Sequence, residues 1–449
     1  MDTHHKFSVA ICGGGIGGLL LAVALSKYPD IQVDVYEAAK LFSEVGAGIG
    51  LWPRSWKIIE QLGLADELAK IAVVPPTNIP TVAFNLRKGD ETNGETFSRL
   101  VTPGGMIAFH RPDFQNVILQ HLASTSCRTH TSKRLTSYST TTNLSASSTL
   151  VHLNFQDDTT AACDLLIGAD GIKSVVRAGM LRGMADQAKS EGRMQEAKSI
   201  EKCSKATWSG VSMYRTTFPS EALNQKLPGH RVLHDPMIYI GTETQLTVYP
   251  MARGTRINFA ASCLDWKKEG ATFDGPWIQE VTRDELLSAF DRWEPEVSAL
   301  LQCTQSLSKW AIHCVPTLPS YVSERVALIG DAAHGMLPYQ GVGAGQALED
   351  AFVLANLLGH PKTSIDTISR ALGIYDAIRR PFSQRTVELS RENARLFSLS
   401  FPGLTNDNIA DRRSEKLQEL HGHVRDNWEW CWTTTIDADL QQAMAVLEG

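Results

Sequence analysis

Phe7-Ser-Val-Ala-Ile-Cys12-Gly13-Gly14-Gly15-Ile16-Gly17-Gly18 is the stretch whose reading decides the fold. The apolar run Phe7–Cys12 suits a buried strand, and residues 16–27 continue as a helix. Residues 31–37, β-branched and alternating, supply the next parallel strand, so the three segments make one βαβ unit. Between strand and helix the glycines satisfy GxGxxG. Gly13 permits the tight turn, Gly15 lets backbone approach a pyrophosphate, and Gly18 lets the helix lie close on the strand. The helix start then offers free N–H groups and its positive dipole end to an anion. Glu37 closes the second strand 24 positions after Gly13, where a carboxylate accepts hydrogen bonds from a ribose. This unit predicts a dinucleotide site and by itself leaves FAD and NAD both open.

The 449 residues suffice for a two-lobed enzyme built around a large core. A hydrophobic content of 43%, 20% charged residues and a formal net charge of −6 are ordinary for a globular protein. They offer no basic surface for nucleic acid or a membrane. Eight cysteines are scattered without a CxxC pair, which fits reduced thiols in an intracellular protein. The apolar stretch 7–25 is interrupted by five glycines, which argues against a spanning helix, and a soluble, cytoplasmic protein is expected. No His/Cys cluster has metal-ligand spacing, and no metal is expected.

Further along, residues 54–64 and 112–123 read as helices, and 129–149 as strand edges and loops. The charged, aromatic-poor stretch 179–205 reads as a surface insertion. Segments 237–249 and 255–262 alternate and suit an antiparallel sheet. After Asp350 the chain reads as helical and ends in an aromatic cluster, Trp428, Trp430 and Trp432.

Two further segments follow buried strands: Leu165-Leu-Ile-Gly-Ala-Asp170-Gly171-Ile-Lys-Ser-Val-Val-Arg177 and Val326-Ala-Leu-Ile-Gly330-Asp331-Ala-Ala-His334. With the first glycine turn they resemble the three fingerprints of the single-component FAD-dependent aromatic monooxygenases. The resemblance spans nearly the whole chain. It takes in Glu44-Val-Gly-Ala-Gly-Ile49, His110-Arg111-Pro-Asp113-Phe114, Leu337-Pro-Tyr-Gln-Gly341-Val-Gly343-Ala344-Gly-Gln and Leu348-Glu-Asp-Ala351. It is most similar to the salicylate hydroxylases, down to the tail Trp428-Glu-Trp-Cys-Trp432 and Asp437-Ala-Asp439.

The resemblance implies an α/β fold with a discontinuous Rossmann-like FAD-binding domain (1–75, 100–180 and 315–365). An antiparallel β-sheet substrate lobe (76–99 and 206–314) interrupts it, and a helical C-terminal segment (366–449) completes it. It implies that Gly13, Gly15, Gly18, Glu37, Gly50, Arg111, Asp170 and Asp331 hold FAD, with Glu37 at the ribose and Asp331 at the ribityl chain. Gly343 and Ala344 would meet the isoalloxazine ring, where the N–H groups of a helix start stabilise negative charge. NADH or NADPH would act as a transient co-substrate, contacting the Asp170 segment. Read without the resemblance, Asp170 could simply cap a turn before Gly171, and Asp331 could N-cap a helix.

An enzyme of this kind uses NAD(P)H and O2 to hydroxylate a small aromatic substrate. The cofactor supplies the organic chemistry, while the protein excludes water, orients the ring and makes it electron-rich. By resemblance Arg215 and Tyr249 are the catalytic pair: an arginine stabilises a phenolate and a tyrosine hydroxyl orients it. Arg54 and Arg253 are expected to clamp a substrate carboxylate bidentately, and Pro338 and Tyr339 to line the substrate site. The chain departs from the salicylate hydroxylases at Tyr339, where they tend to carry histidine, and at Tyr249, where they tend to carry phenylalanine. These departures widen the expected substrate to a hydroxy- or aminobenzoate. Attack at the carboxylate-bearing carbon would expel carbon dioxide. Two alternatives stay open: a phenol hydroxylase or dearomatising monooxygenase of fungal-type secondary metabolism that releases no carbon dioxide, and an FAD-binding regulatory protein without turnover. His110 and His334 are read as structural, and the assembly as a monomer or homodimer.

Overall fold

Strands Phe7–Cys12, Ile31–Tyr36 and Leu165–Gly168 are near-continuous apolar runs, the pattern of parallel strands covered on both faces. The computed structural model describes residues 5–42, 48–73, 76–143, 148–251 and 254–449. In it these strands form the centre of a six-stranded sheet, flanked by Arg128–His130 on one side and by Val326–Leu328 and Val322–Ser323 on the other. All neighbours run parallel except the last pair. Phe7–Cys12 lies in the middle, with Val9 opposite both Leu165 and Val33. Successive side chains point to opposite faces. Ile11 meets the helix Ile16–Leu25 beneath Gly18, while Cys12 faces Cys163 of an antiparallel meander, Leu135–Asn143, Ser148–Phe155 and Thr160–Cys163. Helix Gly343–Gly359 packs beside Ile16–Leu25 and completes the layer.

The second lobe is an eight-stranded sheet in the order Ile278–Thr282, Ser306–Cys314, Thr207–Pro219, Arg256–Leu264, Thr244–Met251, Met237–Gly241, Pro80–Lys88 and Glu95–Pro103. It is antiparallel except where Pro80–Lys88 meets Met237–Gly241. Alternation sorts its faces. Leu246, Val248, Phe259 and Ala261 join one core with helix Pro295–Gln302, and Val211, Ile238 and Ile240 join another with the C-terminal helices. The segment 237–249 proves to be two strands, reversed at Thr242-Glu243, where Glu243 takes φ +56°. Strand Glu95–Pro103 runs through residues 99–100, where the lobe boundary was expected.

Residues 179–205 are not a surface insertion. They lie mostly in two helices, Val175–Ser190 and Met194–Lys202, whose Met180, Leu181, Ala185, Ala188, Ala197 and Ile200 join the core of the first lobe. Beyond Asp350 the chain is helical, as expected, led by the 30-residue helix Ile368–Phe397 and ending with Arg413–Trp428 and Asp437–Glu448. No described helix is long and apolar enough to cross a membrane.

Candidate active site

At the carboxyl ends of the parallel strands lies a cavity of about 620 Å³. Its lining brings together Gly13, Gly15, Glu37, Gly50, Arg111, Asp170, Asp331, Pro338, Gly343 and Ala344. Gly13 holds φ +112°, which side chains rarely adopt, and a Cβ there would collide with the Ala169 carbonyl. Gly18 stands outside the lining. A Cβ on it would strike the Gly13 carbonyl, so it serves the close packing of helix on turn. Glu37 accepts from the Gly14 amide at 2.8 Å and the Ala39 amide at 2.7 Å, which ties its carboxylate to the glycine turn.

Asp331 opens the short helix Asp331–His334, behind Gly330 at φ +60°. The N-cap is Gly330, and the Asp331 carboxylate is exposed at the cavity with no hydrogen bond or ion pair among the described residues. The capping alternative for Asp331 therefore fails. Asp170 faces the start of helix Val175–Ser190, where one of its oxygens accepts from the amides of Val175 at 2.7 Å and Val176 at 3.1 Å. The other is buried without a partner among the described residues, and burial pushes the carboxyl group up from its usual range. Helix Gly343–Gly359 starts at the cavity with no side-chain cap and no acidic residue in its first turn. Its first N–H groups thus remain for an acceptor. A glycine cradle, two helix starts and an uncommitted carboxylate suit the pyrophosphate, ribityl chain and ring of FAD.

Two residues of the second lobe lie near this cavity. Arg215 is half-buried, with its guanidinium 5.7 Å from the Trp310 ring centroid and no carboxylate partner among the described residues. Burial pulls its pKa down, Tyr249 pulls it up and Arg111 down again, so the three are electrostatic neighbours. Tyr249 reaches the edge of the FAD cavity, its hydroxyl within 3.6 Å of where a Gly48 Cβ would lie. Burial raises its phenol and Arg215 opposes the rise. Tyr339 lies two residues before Gly341, buried, with Ser262 and Gln245 beside its hydroxyl.

Arg54 does not take the expected role. It is 3% exposed and fully engaged, with Glu349 at 2.9 and 3.2 Å, Asp439 at 2.5 Å, Thr434 at 2.8 Å and the Thr435 carbonyl at 2.7 Å. A guanidinium with every face satisfied has nothing left for a substrate carboxylate. Arg253 lies outside the described residues, as do residues 44–47 of the Glu44–Ile49 motif.

A profile described as an FAD binding domain matches residues 6–390. An FAD-dependent monooxygenase of Strobilurus tenacellus is 34% identical over 100% of this chain and 99% of its own length. A salicylate hydroxylase of Pseudomonas putida is 34% identical over 97% of this chain and 93% of its own. The chain belongs to the FAD-dependent aromatic monooxygenases. Its structure is similar to that of a salicylate hydroxylase substrate complex, with a TM-score of 0.82 and 30% identity over 97% of this chain and 98% of that one.

Sequence reasoning missed how this monooxygenase fixes the turn between the two lobes. The Leu337 carbonyl accepts from Ser390 at 2.5 Å and the Tyr339 carbonyl from Asn393 at 3.3 Å. The Gln340 carbonyl accepts from the indoles of Trp52 at 3.0 Å and Trp428 at 2.7 Å. The C-terminal helices thus hold the loop that carries Pro338 and Gly341 into the cavity. Only the tryptophan tail gave a signal for this. Arg379 joins Glu349 at 2.8 Å to Asp350 at 3.0 Å, both on helix Gly343–Gly359, and Asp350 meets His334 at 2.5 Å and the Gly330 amide at 3.0 Å. His334 is 1% exposed within this network. His110, exposed and paired with Asp113 at 3.2 Å, lies at the surface.

A second cavity of about 540 Å³ adjoins the first through Lys173 and Val175. Arg182 and Lys205 line it without an ion pair among the described residues. The Lys173 ammonium lies 4.2 Å from the Trp277 ring centroid, and that ring stacks on His313 at 3.5 Å.

Proposed function

We propose that this monooxygenase hydroxylates a small hydroxy- or aminobenzoate at its carboxylate-bearing carbon, with loss of carbon dioxide. The observation that carries the reading is Arg215: a half-buried cation, without a carboxylate partner among the described residues, whose electrostatic neighbours are Tyr249 and Arg111, the latter in the cavity lining. A guanidinium so placed binds an anionic aromatic substrate and stabilises its phenolate, and the Tyr249 hydroxyl orients the same oxygen. The names of relatives support the substrate class: salicylate hydroxylase, 6-methylsalicylate 1-monooxygenase and 3-amino-4-hydroxybenzoate 2-monooxygenase. When bound, FAD supplies the activation of oxygen and its transfer to the ring. Gly13, Gly15, Glu37, Arg111, Asp170 and Asp331 hold FAD in this reading, with Gly343 and Ala344 at the ring. The nicotinamide coenzyme supplies two electrons, one oxygen atom enters the product and the other leaves as water. The coenzyme docks at the second cavity, where Lys173, Arg182 and Lys205 offer charge to its phosphates.

Tyr249 beside Arg215 also favours a second reading, hydroxylation of a phenol without decarboxylation. A panel of hydroxy- and aminobenzoates, followed by oxygen uptake, carbon dioxide release and product mass, separates the two. Coenzyme oxidation that yields no hydroxylated product from any member of the panel contradicts both.

A further inference from the structure

The buried network around Arg379 contains a carboxylate that reaches two of the elements facing the FAD cavity. Helix Asp331–His334 has four residues, a single turn, and such a turn is not stable on its own. It starts from Gly330 at φ +60°, a conformation that other residues rarely adopt. Something besides its own backbone must therefore fix where the Asp331 carboxylate points. Asp350, on helix Gly343–Gly359 and 0% exposed, meets both ends of the turn. Its Oδ2 accepts from the Gly330 amide at 3.0 Å, directly before Asp331, and from the His334 Nε2 at 2.5 Å, three residues after it. An ionised carboxylate only accepts, so Nε2 carries the proton in this bond. The His334 Nδ1 has no hydrogen-bond partner among the described residues, which leaves the Asp350 bond to hold the ring. The other oxygen, Oδ1, accepts from the Arg379 Nε at 3.0 Å. Arg379 is held in turn by Glu349 at 2.8 Å and by the Gln346 Oε1 at 2.8 Å. Both oxygens of Asp350 are thus engaged, and its side chain has one pose.

The helix that carries Asp350 opens at the cavity with Gly343 and Ala344, and Ala347 also lines it. The Ala347 Cβ lies 3.1 Å from where a Cβ on Gly330 would stand, so helix and turn touch. Ala347 and Asp350, three residues apart, share the face turned to Gly330. The adenosine end is built separately, from the Gly13 turn and from Glu37, which is tied to the amides of Gly14 and Ala39.

We propose that Asp350 is a positioning residue for FAD: its Oδ2 clamps both ends of the Asp331 turn and fixes the Asp331 carboxylate against the start of helix Gly343–Gly359. The inference rests on the reading in which Asp331 holds the ribityl hydroxyls. It adds that the flavin half of the site, and not the adenosine half, depends on one buried carboxylate that touches no part of the cofactor.

The test compares two ligands on the full chain stripped of flavin: FAD, followed by flavin fluorescence, and ADP, which lacks the ribityl chain, followed by calorimetry. Asp331→Asn is expected to weaken FAD and not ADP. Asp350→Asn should weaken FAD by roughly ten- to a hundredfold and leave ADP within about twofold. In the Asp331→Asn background it should add nothing, because it acts through that carboxylate. His334→Gln, which frees one end of the turn only, should give a smaller loss of the same pattern, and it carries the test should Asp350→Asn fail to fold. Equal weakening of FAD and ADP marks a structural role and overturns the proposal, as do losses from Asp331→Asn and Asp350→Asn that add in full. Unchanged FAD affinity in Asp350→Asn overturns it too, or in His334→Gln where that variant carries the test. An Asp331→Asn variant that binds FAD like wild type overturns the reading of Asp331 itself.

Discussion

Replacing Arg54 with methionine separates a structural cation from a substrate clamp. The side chain is buried and makes five polar contacts, two to Glu349, one to Asp439 and two to the Thr434-Thr435 segment. Removing one partner of a buried ion pair costs about 3–5 kcal/mol, because the remaining charge is stranded. Here Glu349 keeps Arg379 at 2.8 Å and Gln346 at 3.2 Å, while Asp439, 25% exposed, regains water. The loss therefore belongs at the low end, about 3 kcal/mol. Denaturant unfolding of the FAD-loaded enzyme measures it, and flavin-perturbation titration with 2-hydroxybenzoate measures the substrate side. The expected result is a lower unfolding midpoint with affinity changed by less than about twofold. Adding Glu349→Gln should restore part of the stability, because the two residues share a contact and their effects do not add. A loss under about 1 kcal/mol together with a tenfold weaker ligand would refute the reasoning and return Arg54 to the substrate site.

Gly13→Ala should purify without FAD yet remain folded, since the new Cβ meets the Ala169 carbonyl and φ +112° strains alanine; flavin content against far-ultraviolet dichroism checks this. Asp350 bears on the pH dependence. Burial pushes its carboxyl up, but His334 and Arg379 outweigh that and hold it below its ordinary range. A depressed folded pKa contributes stability that is present above the unfolded value near 4 and lost as pH falls through the folded one. Asp350→Asn should therefore flatten the acid limb of a stability profile below about pH 4 and lower the plateau above it. Arg182→Met with Lys205→Met should raise the KM for the nicotinamide coenzyme several-fold, with aromatic-acid affinity unchanged in steady-state and binding assays.

The dinucleotide unit was legible because glycine and period are local signals: Gly13, Gly18 and Glu37 sit where their spacing put them. Helix Val175–Ser190 was misread because its charged outer face hides the buried Met180, Leu181, Ala185 and Ala188. Arg54 was misread for a different reason. Its partners lie 295 and 385 positions away, and no periodicity announces a pairing at that range. Ser390 and Asn393 gave no signal at all, being ordinary polar residues in a helix until the fold brings the 337–341 turn against them. Arg215 and Tyr249 were found by resemblance. What the sequence lacked was the sheet register that sets Ala260 between Arg215 and Thr247.

The most direct test of the account is turnover under heavy-oxygen-labelled dioxygen with 2-hydroxybenzoate, coenzyme and the FAD-loaded enzyme. The account predicts a dihydroxybenzene carrying one labelled oxygen atom, unlabelled carbon dioxide in equal amount, and loss of both products in Arg215→Met. Coenzyme oxidation that ends in hydrogen peroxide alone, with no label in any aromatic product across the benzoate panel, would contradict it.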